Sequence, residues 1–331
     1  MDIDIKENDI LFQSPELLDK LLLDHTTKEN IFWATHNYED LGAAYGYHQR
    51  ITRDLITSEH GRVIMPRVLK AKSVQDARVK DMAEVFTPSW VCNAQLNLID
   101  EAWFGRPHAF NVENPQDHTW KETEGKIVFP DVKDKTWKDY VGDNRLEITC
   151  GEGPYLCNRY DATTGEYFAV LNHRCGIIDR KLRVVRENTA TSAQFLTYAK
   201  KAYECTYGFE WQGDNLLLAR EAMLYTFVDN YKDKFGKMPP MKSMMYIAYV
   251  IGWNLFQMDG LKFVVPDSCH ATEYRQPKFD GTMEVIIQEC PGCRTGDKYH
   301  HNGIYSKVRD WRKWHDSKTR DEADQTFVSL F

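Results

Sequence analysis

R-L-E-I-T-C-G-E-G-P-Y-L, from Arg145 to Leu156, is the stretch from which the fold is read. A short apolar segment carries the acid Glu147, and the turn Cys150-Gly151-Glu152-Gly153 follows. Two glycines one residue apart after a strand let the backbone bend sharply and approach a ligand closely. Pro154 suits a first helical position, because its missing N–H has no partner there in any case. The pattern predicts a strand, a nucleotide-binding turn and a helix. It contains neither G-x-G-x-x-G nor G-K-[ST], so it is not a standard dinucleotide fingerprint or a Walker loop.

The 331 residues, 42% hydrophobic and 13% aromatic, suffice for one large domain with additions or for two small ones. No apolar run reaches the roughly 20 residues of a membrane span. The acidic start M-D-I-D-I-K-E-N-D has no leader character, and a cytoplasmic location is expected. Eight cysteines without a secretory signal point to free thiols or metal ligation rather than to a disulfide framework. The net charge of -7 argues against a self-sufficient binder of duplex DNA. Two clusters read as solvated charged faces or as local basic surfaces. One is Arg174, Arg180, Lys181, Arg183 and Arg186; the other is Arg309, Arg312 and Lys313 beside Trp311 and Trp314.

Helix starts are written plainly at Ser14-Pro15-Glu16 and at Thr87-Pro88-Ser89, the second followed by Val91, Ala94, Leu98 and Ile99 at helical spacing. Residues 101–144 read as loops with a strand at 126–129. Thr189 to Tyr207 has helical spacing, Tyr207 to Glu210 reads as a strand ending in an acid, and buried helices are expected at 214–225 and 244–253. Phe263 to Val265 reads as a buried parallel strand. An acid at the carboxyl end of a second strand is placed to accept both ribose hydroxyls of an adenosyl ligand, which singles out Glu210.

The glycine turn resembles motif I of S-adenosylmethionine-dependent DNA methyltransferases at Glu147, Cys150, Gly151, Gly153, Tyr155 and Leu156, with Ile148 where that family usually has proline. The run A-E-V-F-T-P from Ala83 to Pro88 is similar to the motif that precedes the cofactor loop in adenine-N6 enzymes of restriction–modification systems. Tyr207 to Glu210 and the helix after it resemble motif II of the same enzymes, and Asp259-Gly260-Leu261 stands in the place of motif III. The resemblance implies an α/β fold, a doubly wound Rossmann-like methyltransferase sheet. It implies S-adenosyl-L-methionine held by Phe86, Thr87, Pro88, Glu147, Cys150, Gly151, Gly153, Glu210 and Asp259. It further implies DNA as the partner and a restriction or specificity subunit for sequence choice. Gly153 and Glu210 stand farther apart than the roughly 20 residues of a minimal unit, so an insertion is expected between them.

Amino-methylating members of that family carry [DNS]-P-P-[YFW] after the motif III strand, and this chain has Asp267-Ser268-Cys269-His270 instead. Three readings of the loop stand open. Asp267 accepts from a target amino group while His270 stacks on the base. Alternatively, Cys269 is a nucleophile of the pyrimidine C5 kind. In the third reading the chain does not methylate a base and is a cofactor-binding or assembly subunit of a defence complex. Beyond the loop, Cys290-Pro-Gly-Cys293 with His300 and His301 suits a structural Zn²⁺, and Cys269-His270 is a further source of a ligand. The expected organisation is an N-terminal helical region over 1–82, a cofactor-binding domain over 83–275 and a small C-terminal extension over 276–331 bearing the zinc knuckle.

Overall fold

Three short strands, Arg145–Glu147, Thr206–Glu210 and Leu255–Gln257, pair in parallel and in that order. They lie at the centre of the computed structural model, which describes residues 7–82, 84–85, 87–279 and 281–331. Parallel neighbours need long crossovers. Helices Ile177–Asn188 and Ser192–Glu204 connect the first strand to the second, and Gly213–Phe235 and Met241–Asn254 connect the second to the third. Glu147, Glu210 and Gln257 therefore end their strands on one edge of the sheet. The chain is mixed α/β, and three antiparallel pairs complete it: Asn111–Asn114 with Thr119–Glu122, Thr272–Pro277 with Met283–Gln288, and Lys307–Arg309 with Asp324–Thr326.

Local chemistry sets the helix limits. Thr191 and Gln194 form a capping box at the start of Ser192–Glu204, leaving fewer amide donors unpaired there. The long helix Gly213–Phe235 stops at Gly236, which takes φ +67° at no steric cost. Pro15 opens Pro15–Leu22, as its sequence predicts, and Leu17, Leu18, Leu21 and Leu22 are buried from it. These leucines join one apolar cluster that extends from Ile10 to Trp311, so the segment from Ile10 to Ile64 shares the core of the sheet. A latch holds it there: Phe32 N–H donates to Gln257 Oε1 at 3.1 Å, and Gln257 Nε2 donates to Phe32 O at 2.9 Å.

The structure departs from the sequence reading in four places. No helix starts at Pro154; the chain runs irregularly to Gly176, and the next α-helix begins at Ile177. Asp179 holds that irregular segment by accepting Asn158 N–H at 2.6 Å. Residues 126–129 form no strand; the local hairpin is Asn111–Asn114 with Thr119–Glu122. The third parallel strand is Leu255–Gln257 rather than 263–265. Asp259 Oδ1 accepts Leu261 and Lys262 N–H and turns the chain back, leaving Val264 only antiparallel bridges to Asp259 and Tyr305.

The fourth departure is the largest. Arg174, Arg180, Lys181 and Arg183 are not a charged face; all four are buried. Arg180 meets Asp100 at 2.6 Å, Arg174 meets Asp229 at 2.8 Å, and Arg183 donates to Glu187 at 2.9 Å and to the carbonyls of Phe110 and Thr123. Lys181 Nζ is received by the carbonyls of Asp143 and Cys205, and burial pulls its pKa down to about 7. Arg186 reaches Asp233 at the surface. Of the second cluster, Arg309 is buried with its guanidinium 3.8 Å from the ring centroid of Trp253 and 3.5 Å from that of Trp314, while Arg312 is exposed and Lys313 half-buried.

Replacing Arg180 with Met leaves Asp100 charged and buried with less compensation, and removing one partner of such a pair costs about 3–5 kcal/mol. The expected result is a lower midpoint in urea with an unchanged slope. A midpoint equal to that of the wild type would show that the pair carries no net stability.

Candidate functional site

A cavity of about 1120 Å³ opens at the carboxyl ends of the first two parallel strands. The glycine turn forms its floor. Thr149, Gly151 and Gly153 all adopt positive φ, at +53°, +54° and +81°. Such a conformation is ordinary for glycine and strained for a β-branched residue such as Thr149. Cys150 N–H extends the strand pairing by donating to Phe209 O at 2.8 Å. Gly153 packs so closely on the long helix that a Cβ there would lie 3.3 Å from Ala219 Cβ.

Two buried acids face this turn. Glu210 Oε2 accepts Gly151 N–H at 2.9 Å and Oε1 accepts Gln212 N–H at 3.2 Å. A carboxylate offers about four lone-pair positions, so roughly half its capacity is left for a ligand. Burial, with no cation close by, pushes the Glu210 carboxyl up to about 7. Glu147 is met by the backbone N–H groups of Tyr155 and Leu156, yet its Oε2 is buried with no hydrogen-bond partner, and burial raises its pKa well above the carboxylate range. Glu152, between the glycines, turns away and accepts from Arg67 N–H and the Tyr160 hydroxyl.

The remaining wall comes from distant parts of the chain. Thr87, Gln95, Leu96 and Ile99 line it from around the helix Ser89–Phe104, which starts where the Thr-Pro-Ser sequence predicts. Ser89 N–H is held by Asp161 at 2.7 Å, which fixes that helix to the segment after the glycine turn. Tyr155 donates its hydroxyl to Gln95. Trp211 Nε1 donates to the Tyr47 hydroxyl at 3.0 Å, and that hydroxyl donates to Asp267 Oδ2 at 2.7 Å.

Of the residues expected to hold a cofactor, Thr87, Glu147, Cys150, Gly151 and Glu210 line the cavity. Pro88 and Gly153 lie behind it, as helix cap and packing contact. Phe86 lies outside the described residues. Asp259 does not reach the cavity, because its carboxylate is taken by its own turn and by Lys262 at 3.6 Å. The loop expected to be catalytic is dispersed as well: Asp267 faces Tyr47, His270 is exposed, and the Cys269 sulfur lies 3.5 Å from His301 Nδ1. Cys269, Cys290, Cys293 and His301 gather their ligand atoms within 4.8 Å of one another. His300 is not among them; it is exposed and bonded to Asp297 at 2.7 Å.

Tyr47, Gln95 and Trp211 escaped the sequence reading. Trp211 follows Glu210 directly, and its position beside an acid that ends a parallel strand was a usable signal. Tyr47 and Gln95 reach the cavity only through tertiary folding. The chain matches no protein-family profile, no curated protein and no solved structure. Among the described residues no helix is long and apolar enough to cross a membrane.

The raised pKa of Glu210 gives a testable sign. Its folded value of about 7 exceeds the ordinary 4.5, so the native state holds the proton more tightly. The associated stability is full below pH 4.5 and is lost as pH rises through 7. Glu210→Gln should therefore gain on the wild type by on the order of 2–3 kcal/mol between those limits. Chemical denaturation at pH 4.5 and pH 8 checks it; a pH-independent difference contradicts the assignment.

Proposed function

We propose that this cavity binds S-adenosyl-L-methionine and that the chain is a methyltransferase-type protein acting on DNA, of the kind found in restriction–modification systems. The hydrogen bond from Gly151 N–H to Glu210 carries the reading. It joins a two-glycine turn after one parallel strand to a buried acid at the end of the next, over a single cavity. Ligands of open parallel sheets bind outside the carboxyl ends of the strands, and this cavity lies on that side. Glu210 keeps acceptor capacity for two ribose hydroxyls. Glu147, with a buried oxygen that has no partner, suits the α-ammonium of the methionine moiety, a cation that favours its charged form. Leu96, Ile99 and Ile177 and the rings of Tyr155 and Trp211 give an apolar wall for adenine. The volume exceeds the roughly 300–1,000 Å³ usual for one small ligand, which leaves room for an extruded base.

The cofactor, when bound, supplies an electrophilic methyl group on sulfur. The chain's own residues grip the sugar, orient the amino-acid end and exclude water from the turn. DNA as acceptor rests on the resemblance of the segments at 83–88, 145–156 and 207–210 to the restriction–modification enzymes. A second reading, a cofactor-binding subunit whose transfer step needs a partner, is favoured by one observation: Asp267, Cys269 and His270 do not line the cavity. A Cys269 nucleophile finds no support, since its sulfur faces His301, Cys290 and Cys293.

Calorimetric titration with S-adenosylmethionine tests the pocket. Glu210→Gln is expected to weaken binding about 10- to 100-fold, about 1.4–2.7 kcal/mol. Wild-type affinity is expected to fall by up to about tenfold per unit as pH drops below 7, because protonation removes an acceptor from Glu210. An absence of uptake at millimolar cofactor removes the proposal. Tritiated methyl transfer to DNA by the chain alone supports the first reading, and transfer only in the presence of an added subunit supports the second.

A further inference from the structure

Cys269, Cys290, Cys293 and His301 lie outside the cavity, and nothing in the proposed methyl-transfer chemistry uses them. We propose that they hold one zinc ion in a closed structural site, and that the ion clasps the root of the hairpin Thr272–Pro277/Met283–Gln288 to the loop after the third parallel strand.

Distance is the first argument. His301 Nδ1 lies 3.5 Å from Cys269 Sγ, 3.7 Å from Cys290 Sγ and 3.7 Å from Cys293 Sγ. Zinc bonds of about 2.3 Å to sulfur and about 2.0–2.1 Å to nitrogen, set at tetrahedral angles, require a sulfur–nitrogen edge of roughly 3.5–3.6 Å. All three sulfur–nitrogen edges are close to that length, and the four ligand atoms lie within 4.8 Å of one another, near enough to share one ion. Ligand type is the second argument. Three thiolates and one imidazole are soft donors that select zinc, and four protein ligands leave no open position, so the role is structural.

The backbone around the group has been kept clear for it. A Cβ on Gly292 would lie 2.6 Å from His301 Nδ1, and one on Gly303 would lie 3.0 Å from Cys269 Sγ and 2.6 Å from Ser268 Oγ. Any side chain at either position would push a ligand away. Asn302 N–H donates to Cys290 Sγ at 3.3 Å, the donor a thiolate ligand needs from its surroundings. The Asn302 side chain also brackets His270, accepting its N–H at 3.2 Å and donating to its carbonyl at 2.7 Å. The loop 267–270 and the segment 300–303 are thereby aligned before any metal arrives.

The hairpin explains why a clasp is required. Its last rung pairs Thr272 with Gln288, so Cys269 and Cys290 stand just outside the two ends. Beyond that root Tyr274, Met283, Val285 and Ile287 are exposed. A two-stranded hairpin with so little burial is marginal in water on its own. Fixing both ends at one ion removes most of the freedom with which it would open.

Metal analysis of protein purified without chelator tests the site, with about one zinc per chain expected. Replacement by cobalt(II) should give the visible bands of a tetrahedral thiolate complex. Cys290→Ser and His301→Ala should each lose the zinc, while His300→Asn keeps it. No zinc in the wild type together with no cobalt bands on titration overturns the proposal, independently of whether any variant folds. So does equal loss of zinc from His300→Asn. Chelation should raise amide exchange across 272–277 and 283–288 at least about tenfold and leave 213–235 protected. Unchanged exchange in the hairpin overturns the clasp.

Discussion

Arg78 is wholly buried, and the arrangement around it fixes the geometry of the cavity. Its guanidinium meets Glu84 at 2.6 Å and Asp214 at 2.9 Å, and it also donates to Gln212. Asp214 takes further bonds from Lys70 at 3.1 Å and from the Tyr38 hydroxyl at 2.7 Å. Charges taken out of water at this depth are tolerated only when each finds a partner. Satisfying Arg78 therefore brings residues 38, 70, 78 and 84 against the start of the long helix. Gln212 stands two residues beyond Glu210, so the same network sets the strand-to-helix bend from which Glu210 faces the glycine turn.

The acids nearby show what that pairing does. Burial alone drives a carboxyl toward its neutral form, yet in Asp214 the adjacent Arg78 and Lys70 outweigh burial and hold the carboxyl well below its ordinary range. Glu210 and Glu147 are as deeply placed and have no such cation, so their carboxyls are raised. Asp214 lies wholly buried behind Gln212, whereas Glu210 and Glu147 line the cavity. Acids that serve only stability are expected to be satisfied within the chain; two that keep unused acceptor positions beside open space are where a ligand's donors fit.

Local signals made much of this legible in the sequence. Pro15 and Thr87-Pro88-Ser89 marked helix starts, helical and apolar patterns marked the crossover helices after Thr189 but not Ile177–Asn188, and the bend at Gly151 and Gly153 was read from the freedom of glycine to turn sharply. Glu210 was legible because an acid ending a strand is a local pattern. Burial of Arg180 and Lys181 was not, since their partners Asp100, Asp143 and Cys205 are distant in sequence and charge alone reads as surface. The third strand was hidden because Leu255–Gln257 continues an apolar run from the helix before it with no break in composition. His300 and His301 were inseparable by spacing; only the fold points one at the cysteines and the other at Asp297.

The same reasoning explains why the loop after the third strand has no place at the cavity. In a doubly wound sheet the crevice lies where the strand order reverses, and loops from both halves reach it. Here the described strands run 145, 206, 255 in one direction, and the first strand pairs only with the second. Beyond that free edge the cavity is completed by Thr87, Gln95, Leu96 and Ile99 rather than by a fourth strand and its loop. Asp267 to His270 follow the strand farthest from that edge. With Asp267 bonded to Tyr47 and Cys269 drawn to His301, the loop serves the walls and the hairpin root. The cavity stays open across the edge beside Leu146 and Ile148, whose exposed apolar side chains line it there and offer a surface to an apolar or aromatic partner.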